Sequence, residues 1–434
     1  AQTFDHVGAA DKSVRAALKD IGSPPLIGCA RVAGRGLRSR GFRSPRFRSG
    51  GFGNGGFVIL HGGDNAPSTQ GASPLSSTSS VPPFPGIKPA TLRTGADLAK
   101  AGLAADSDIN ALDAVGAEYS IAIPGGLAAL IDLADPNDPI ARQFVPDPAE
   151  LITRDDELDD PIGDETHSPV RGLVHRYPDR VLLMPTLSCP VYCRYCFRRD
   201  QVGRAAGTPT ADDLEVAYRY IEDRPDIREV ILTGGDPLSL SDARLARIIA
   251  RLDTIPYLNN IRIHTRVPVA LPDRITDGLI AALQSDTPVW MALHTNHARE
   301  LTDEVAAACD RLTRGGIPLL SQTVLLKGVN DSVDVLTDLM RRLIALKIKP
   351  YYLHHPDRAR GTAKFRLTLT EGRALVAALR GNISGLCQPT YVVDIPGGHG
   401  KAPAQDVTPA GDGTDRWNLR DFRGETHEYV DNSG

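Results

Sequence analysis

Cys189, Cys193 and Cys196 are the residues whose types and spacing most directly predict chemistry. They fall within eight positions in the pattern C-x3-C-x2-C. Cysteine thiolates hold zinc ions and iron–sulfur clusters, and both kinds of closed site take four protein ligands. Three clustered thiolates therefore leave two interpretations open. Either the site keeps one metal position free for another ligand, or a distant Cys or His completes a structural zinc site.

A pair of glycines marks a second candidate ligand-binding loop. Gly234 and Gly235 stand in Thr233-Gly234-Gly235-Asp236-Pro237-Leu238, after a predicted strand and before a predicted helix. Paired glycines let the backbone come close to a ligand and expose its N–H and C=O groups. A loop glycine that simply needs a positive φ is the alternative explanation.

A lysine ends the other glycine-rich segment, Asp394-Ile395-Pro396-Gly397-Gly398-His399-Gly400-Lys401. The segment is not a phosphate-binding loop, because that pattern requires Gly in place of Ile395 and Ser or Thr in place of Ala402. A flexible hinge before Lys401 suits a lysine that bonds covalently to pyridoxal 5′-phosphate (PLP) and swings away when a substrate displaces it. A solvated surface lysine is the plain alternative.

Short apolar strands alternate with amphipathic helices from residue 181 onward, which predicts a parallel sheet in an open or complete α/β barrel. The predicted strands are Val181–Pro185, Glu229–Thr233, Asn260–Thr265, Pro288–His294, Leu319–Leu326, Lys349–His354 and Thr390–Ile395. The predicted helices are Ala211–Glu222, Asp242–Leu252, Asp273–Leu283, Asp303–Arg314, Val333–Leu346 and Thr370–Leu379. Ser241 and Thr370 are expected to act as N-caps. The cysteines directly follow the first strand, at the kind of strand end where barrel sites are built.

The N-terminal part of the chain has a different character. Residues 1–86 are rich in Arg, Gly and Ser and poor in apolar residues, which predicts a disordered leader. Such a composition suits RNA binding, an organelle transit peptide or a non-functional extension. From Leu92 to Leu130 the chain is expected to be largely helical, with a break at Pro124-Gly125-Gly126. Acidic residues from Asp155 to Glu165 are expected to form a solvated loop.

The composition argues against several classes of protein. A net charge of −4 disfavours a general nucleic-acid binder. No apolar run reaches the roughly 18 residues that a membrane span needs, and the first residues lack an apolar signal core. Cys309 and Cys387 are expected to be buried small hydrophobes, while Cys29 stands alone. This cysteine usage is typical of a reducing compartment and predicts a cytoplasmic protein.

Residues from about 88 to 425 resemble lysine 2,3-aminomutase and its relatives, which are PLP-dependent radical S-adenosylmethionine (SAM) aminomutases. The C-x3-C-x2-C spacing is the signature of the radical SAM superfamily. The other segments that carry the resemblance are Asp135–Pro139, His175–Arg180, Gly234–Asp236, Val289-Trp290, His294–His297, Gln322–Leu326, Gly328–Asp331, Pro350–Tyr352 and Asp394–Lys401.

The resemblance implies a radical SAM partial (β/α)6 barrel over residues 171–385. An N-terminal helical segment, 87–170, would precede the barrel, and a C-terminal PLP-binding segment, 386–434, would close it. The implied reaction moves the amino group of L-lysine from C2 to C3 to give β-lysine. The implied cofactors are a [4Fe–4S] cluster, SAM and PLP, with a flavodoxin- or ferredoxin-type electron donor as partner.

The resemblance also assigns roles to individual side chains. The iron ligands would be Cys189, Cys193 and Cys196. The residues near SAM would be Tyr195, Gly234, Gly235, Asp236, His294 and Gln322. The PLP contacts would be Arg176, Arg180 and Lys401, with Lys401 as the catalytic residue. The substrate contacts would be Arg198 for the carboxylate and the pair Asp357 and Asp394 for the distal ammonium, a cation that needs compensating charge when it is buried.

The chain departs from the family in two places. Longer members carry zinc-binding cysteines, but the first such position is Ser332 here and no cysteine follows Cys387. No zinc is therefore expected, and a homo-oligomer would form without the zinc-linked contact. The residues just before Asp357, His354-His355-Pro356, also differ from the better-known members. Arginine or another cationic amino acid as substrate, a radical SAM enzyme that no longer uses PLP, and a non-enzymatic metal- or RNA-binding protein stay open as alternatives.

Overall fold

The computed structural model describes residues 90–203, 207–411 and 415–431. The predicted leader, residues 1–86, and Cys29 lie outside the described residues. The strands within these ranges are β1 Leu173–Tyr177, β2 Arg180–Thr186, β3 Glu229–Gly234, β4 Asn260–Thr265, β5 Val289–His294, β6 Leu319–Val324, β7 Ile348–His354, β8 Thr390–Ile395, β9 Gly400–Pro403, β10 Thr408–Pro409, β11 Arg416–Arg420 and β12 Thr426–Val430.

The α-helices of the same ranges alternate with these strands through the middle of the chain. They are α1 Gly95–Lys100, α2 Ile109–Glu118, α3 Gly125–Ala128, α4 Pro139–Phe144, α5 Ala211–Glu222, α6 Asp242–Asp253, α7 Val267–Ala270, α8 Asp277–Ala282, α9 Asp303–Arg314, α10 Val333–Ala345 and α11 Leu369–Leu379. Short 3₁₀ helices cover Asp106–Asp108, Pro148–Leu151, Pro237–Ser239, Pro272–Arg274, Ala298–Glu300, Ala363–Phe365 and Gly385–Cys387.

Strands β1 to β9 form one sheet whose spatial order follows the chain. Strands β2 to β8 run parallel, and β1 and β9 pair antiparallel at the two edges. The edges meet where the Tyr177 hydroxyl of β1 accepts the backbone N–H of Lys401 in β9 at 2.8 Å. The sheet is therefore a nearly closed barrel. This confirms the predicted fold, with β8 as the added strand that leads to Lys401.

The helices of the barrel bury one stripe each against the sheet. Helix α5 buries Leu214, Ala217, Tyr218 and Ile221. Helices α6, α9 and α10 repeat that i, i+3, i+4, i+7 pattern, which places every buried residue on one helical face. Each large aliphatic side chain that leaves water in this way contributes about 1.5–3 kcal/mol to folding.

Most predicted strands and helices are confirmed within two residues of their ends. The exception is Asp273–Leu283, which breaks into the 3₁₀ helix at Pro272–Arg274 and the shorter helix α8. The predicted cap Ser241 accepts the Arg244 N–H. The predicted cap Thr370 is wrong, because Thr368 caps α11 and shares a capping box with Glu371.

Between Leu92 and Leu130 the structure has three short α-helices, α1, α2 and α3, where one largely helical stretch was expected. The break comes earlier than predicted, because α2 already ends at Glu118, and Gly125-Gly126 begins α3 instead of interrupting a helix. The expectation of a solvated acidic loop is wrong for Glu157 and Asp164, whose side chains are buried. Buried carboxylates require partners, and both find them in the arginines and backbone amides of distant segments.

The C-terminal residues add a small antiparallel sheet, β10–β11–β12, which the sequence did not predict. Cys309 and Cys387 are buried as expected. Within the described ranges, none of the helices combines the length and the apolar character needed to cross a membrane.

Candidate active site

Two adjoining cavities open at the carboxyl ends of the parallel strands. The cysteine cavity, of about 1070 Å³, is lined by the three clustered cysteines together with Tyr195, Gly234, Gly235 and Asp236. The lysine cavity, of about 1000 Å³, is lined by Arg176, Arg180, Asp394 and Lys401. Four predicted site residues line both cavities: Arg198, His294, Gln322 and Asp357. The structure thus brings every predicted site residue to one continuous region.

The cysteine loop is held by a buried ion-pair network that the sequence did not reveal. Glu150 accepts hydrogen bonds from Arg194, the closest at 2.6 Å, and from Arg199, and all three side chains are fully buried. Burial would raise the pKa of Glu150, but the two guanidinium groups outweigh it and hold that pKa below its usual value. The loop that carries the cysteines is therefore fixed by charges that lie behind it.

Gly234 and Gly235 hold the end of β3 against the start of the cysteine loop. Gly234 has a φ of +102°, and a Cβ on Gly235 would lie 2.4 Å from the Ser188 carbonyl oxygen. The Gly235 N–H donates to the Thr186 carbonyl at 2.8 Å. Only glycine permits this close approach of two backbones. The geometry explains both glycines without a ligand, while leaving their backbone at the cavity wall.

Asp236 links the same loop to the end of β4. Its carboxylate accepts the Thr265 hydroxyl at 2.7 Å, the Arg266 N–H at 2.7 Å and the Leu238 N–H at 3.0 Å. Burial raises the pKa of Asp236, although these donors favour the ionised form. The carboxylate is therefore already hydrogen-bonded to groups of this chain. Its first role is to hold the shape of the cavity.

The three thiols are half-buried in the wall of the cysteine cavity. Burial raises the pKa of Cys189 and Cys193, and it raises the pKa of Cys196 to about 11. Each ionised thiol would also repel its neighbours, so three bare thiolates are unfavourable here. A bound cation reverses that balance because thiolates are the metal-binding form.

Arg266 was not predicted, although it follows directly from the end of β4. Its guanidinium contacts Glu300 and the Tyr195 hydroxyl and donates to Gln143 at 3.0 Å. It therefore fixes the ring of Tyr195, which directly precedes the third cysteine. The rule that barrel sites lie at strand ends would have pointed to this position.

In the lysine cavity, Asp394 receives two nitrogen groups. Lys401 Nζ lies 2.6 Å from one carboxylate oxygen, and His354 Nδ1 lies 3.1 Å from the other. Burial would raise the pKa of Asp394, but the ammonium of Lys401 and then His354 lower it well below its usual value. Asp394 is thus an ionised, nearly fully buried anion that holds a primary ammonium.

Asp357 lies in the wall between the two cavities. Burial first, and then the negative charge of Asp394, raise its pKa well above the ordinary value. Two carboxylates that share one region repel each other unless a cation lies between them. The pair is therefore suited to a ligand that brings a positive charge.

Asp164, which the sequence placed in a solvated loop, joins two of the predicted arginines. It accepts from Arg176 at 2.7 Å and from Arg198 at 2.7 Å, and all three side chains are buried. Arg176 Nε has no hydrogen-bond partner among the described residues. The arginines are therefore held in place by one carboxylate while keeping donor capacity.

Arg180 reaches the lysine cavity from the start of β2. Its guanidinium stacks 3.7 Å from the centre of the Tyr177 ring and lies 2.7 Å from the Asp179 carboxylate. Tyr177 in turn accepts the Lys401 backbone N–H. One aromatic ring thus connects Arg180 to the glycine-rich loop.

His294 and Gln322, in neighbouring strands, form the wall between the cavities with His264, which was not predicted. The rings of His264 and His294 meet edge to face at 5.6 Å, and neither Nε2 has a partner among the described residues. Burial lowers the pKa of His294 to about 3 and that of His264 well below its usual value. Both imidazoles are therefore neutral at physiological pH.

Comparison with known proteins gives concordant results. Residues 183–340 match the family described as the radical SAM superfamily. The L-lysine 2,3-aminomutase of Clostridium subterminale is 43% identical over 301 residues, which are 69% of this chain and 72% of that protein. The L-lysine 2,3-aminomutase of Acetoanaerobium sticklandii is 42% identical over 69% of this chain and 73% of that protein.

Two further matches are less similar to this chain. A solved radical SAM methyltransferase from Sphaerobacter thermophilus is 20% identical, with a TM-score of 0.37 over 51% of this chain and 68% of that chain. The glutamate 2,3-aminomutase of Clostridioides difficile is 36% identical over 73% of this chain and 75% of that protein. Aminomutases named for two different amino acids, lysine and glutamate, are therefore similar to this chain.

Proposed function

Because this chain belongs to the lysine 2,3-aminomutase family of radical SAM enzymes, we propose that it converts L-lysine to β-lysine with the help of PLP. The observation that carries the proposal is the contact of Asp394 with Lys401. A buried carboxylate there holds a primary ammonium at 2.6 Å, in a cavity that adjoins three clustered cysteines.

The cysteine cavity suits the [4Fe–4S] cluster and SAM that membership of the radical SAM superfamily implies. Cys189, Cys193 and Cys196 would hold three irons, and their deprotonation in a buried wall is favoured by the metal charge. A [4Fe–4S] cluster bound in this way supplies the electron that cleaves SAM and starts radical chemistry. Tyr195, fixed by Arg266, and the backbone at Gly234 and Gly235 would border the SAM site.

The lysine cavity has the residues that PLP requires. Lys401 follows three glycines with positive φ, namely Gly397, Gly398 and Gly400, so the main chain can turn sharply just before it. Arg176 and Arg180 present guanidinium groups, which suit a phosphate or a phenolate. PLP held by these residues would supply the aldehyde carbon to which the amino group of the substrate is attached while it migrates.

The side chain of Lys401 itself indicates which substrate the cavity accepts. Its ammonium is the same chemical group as the distal end of L-lysine, and the buried carboxylate of Asp394 binds it. When Lys401 moves away, a substrate ammonium can take its position without leaving a buried charge uncompensated. Asp357 lines the same cavity and would add a second carboxylate near that ammonium.

Arg198 is placed to receive the other end of the substrate. It lines both cavities, and Asp164 fixes its guanidinium through a contact at 2.7 Å. A guanidinium recognises a carboxylate with two parallel hydrogen bonds. The neutral rings of His264 and His294 add no charge between the two ends, so only the acidic pair and Arg198 would select the substrate.

The remaining assignments follow from the same arrangement. We propose that residues 171–385 form the barrel unit, that 87–170 form the N-terminal helical segment, and that 386–434 form the PLP-lysine segment. Strands β8 and β9, which carry Asp394 and Lys401, support that last boundary. A flavodoxin- or ferredoxin-type protein would supply the electron.

Anaerobic incubation with SAM, PLP, dithionite and a panel of amino acids tests the proposal. We expect β-lysine from L-lysine, identified by mass-resolved chromatography of the β-isomers. If arginine is the preferred substrate, the acidic pair would bind a guanidinium group instead of an ammonium group. Turnover of glutamate would contradict the assignment of the acidic pair as the ammonium site. Isomerisation without added or bound PLP would overturn the role of Lys401.

A substitution of the ammonium site sharpens this test. Asp394→Asn removes the charge but keeps the shape, so the KM for lysine should rise about 10- to 100-fold, the usual loss for a hydrogen bond to a charged group. Iron content and PLP binding should not change. Asp406→Asn, an exposed aspartate of the same segment, is the matched control and should leave the KM unaltered. An unchanged KM in Asp394→Asn would remove the proposed site.

A further inference from the structure

Three potential metal ligands converge outside both cavities, at the junction of the glycine-rich loop with the C-terminal sheet. They are His399, Asp421 and His427, and their ligand atoms all lie within 4.8 Å of one another. We propose that they form a binding site for a divalent transition metal ion of the zinc class. This site uses imidazole and carboxylate ligands and includes no cysteine.

The geometry of Asp421 and His427 is close to what one ion requires. His427 Nε2 lies 3.1 Å from Asp421 Oδ2. Two ligands of a tetrahedral zinc ion, each about 2.0–2.1 Å from the metal, lie about 3.3 Å apart. An ion can therefore replace the proton between these atoms with little movement of either side chain.

The carboxylate is oriented before any ion binds. Asp421 Oδ1 accepts the backbone N–H groups of Arg423 and Glu425, each at 2.9 Å, which leaves Oδ2 for the metal. Only 1% of the Asp421 side chain and 17% of the His427 side chain are exposed. Hydrogen bonds of this kind behind a ligand are a regular part of metal sites.

His399 supplies the third ligand from the other side of the junction. Its ring stacks on that of His427, with 3.9 Å between the ring centres and 28° between the planes. A modest rotation of the His399 side chain about its own bonds would direct its lone pair at the ion. A fourth position then stays open to water, as in zinc sites with three protein ligands.

The plain alternative is an ion pair that closes the turn from Asp421 to Glu425. That explanation accounts for the contact of Asp421 with His427, but it leaves the position of His399 unexplained. The metal site includes His399 as its third ligand. His399 stands between glycines of positive φ and lies two residues before Lys401. A bound ion would tie the glycine-rich loop to β12 and to the turn before it, where Phe422 packs on Tyr177 with 5.0 Å between the ring centres.

Zinc binding by the cluster-loaded protein tests the site. The protein is reconstituted with iron and sulfide, dialysed against zinc at micromolar concentration and then against metal-free buffer, and both metals are counted by mass spectrometry. We expect one tightly held zinc ion per chain in the wild type. His399→Gln and His427→Gln should each weaken zinc binding at least about 10-fold, while the iron content stays the same.

His297→Gln is the matched control, because His297 is also partly buried and lines neither cavity. It should keep the zinc. A wild-type protein that retains none, or variants that retain as much as the wild type, would overturn the site. Zinc that disappears with Cys193→Ala instead would assign the ion to the cysteines. If His427→Gln fails to fold, as judged by its iron content and circular dichroism, the zinc content of His399→Gln, whose substitution lies in the glycine-rich loop, decides whether the site exists. No SAM, PLP or amino acid is added, so the outcome is independent of the proposed function.

Discussion

The cysteine cavity and the lysine cavity adjoin, but the buried carboxylates around them have different kinds of partners. Around the cysteines, Glu150, Asp236 and Glu300 are each saturated by arginines, hydroxyls or amides of the surrounding chain. Around the lysine, Asp394 is paired with Lys401, a side chain that must leave if the proposed reaction occurs.

This difference indicates which kind of ligand each cavity is suited to bind. Permanent partners make a buried charge rigid, because breaking such a pair costs several kcal/mol. A rigid wall suits a cofactor that stays bound. An exchangeable partner, in contrast, lets one cation replace another without an uncompensated charge. The four predictions that follow test this contrast from the largest expected effect to the smallest.

Removing an iron ligand should have the largest effect. Cys193→Ala leaves two thiols, too few to hold the cluster, so we expect loss of most iron and of all measurable aminomutase activity. Iron analysis and the visible spectrum of the anaerobically purified protein give the readout. Cys309→Ala, which removes a thiol fully buried in α9, is the control and should keep its iron. Full iron in Cys193→Ala would contradict the assignment of the cysteine loop.

Replacing the proposed PLP lysine should abolish turnover without touching the cluster. Lys401→Arg keeps a cation against Asp394 but cannot form the covalent bond to PLP, so activity should fall about 10³-fold or more. Borohydride reduction followed by peptide mapping should label Lys401 in the wild type and no residue in the variant. Equal iron in both proteins would show that the two cavities are independent. Labelling of another lysine would overturn the proposal for Lys401.

The contrast between the two cavities can be tested by replacing one buried or partly buried glutamate near each of them. Glu150→Gln leaves Arg194 and Arg199 buried without their anion, which should lower the free energy of unfolding by about 3–5 kcal/mol and accelerate iron loss. Glu229→Gln disturbs a half-buried pair with Arg262 on the lysine side, held at 3.0 Å. Its cost should be much smaller, with iron unchanged. Thermal unfolding and timed iron release measure both, and equal losses would contradict the rigid cysteine wall.

The sequence was informative wherever the determinant is local. The cysteine spacing, the strand ends and the glycine hinge are patterns within about ten residues, and the structure brings all of them to one region. The cap of α11 belongs to the same class, since Thr368 and Glu371 form the T-x-x-E pattern of a capping box. That signal was present in the sequence and indicates Thr368 rather than Thr370.

Non-local partners could not be predicted in this way. Asp164 contacts Arg176 and Arg198, which lie 12 and 34 positions later in the chain. An acidic stretch ordinarily faces solvent, so composition gave the wrong expectation for this residue. The edge strands β1 and β9 were missed for a related reason. They are short, and they become strands through pairing with β2 and β8 rather than through their own apolar pattern.

The contact between those edge strands gives the smallest expected effect. Tyr177→Phe removes the hydroxyl that accepts the Lys401 N–H at 2.8 Å, which should cost about 1 kcal/mol of stability. Because Lys401 becomes less well placed, kcat should also fall a few-fold, while iron content and borohydride trapping persist. Tyr220→Phe, which loses a hydroxyl contact to His175 at 2.9 Å on the outer side of β1, is the matched control. It should lose similar stability with an unchanged kcat, because its hydroxyl lies away from the lysine cavity. If both variants lower kcat equally, the closure of the barrel at Tyr177 has no special part in holding Lys401, and the exchangeable character of the lysine cavity must come from Asp394 alone.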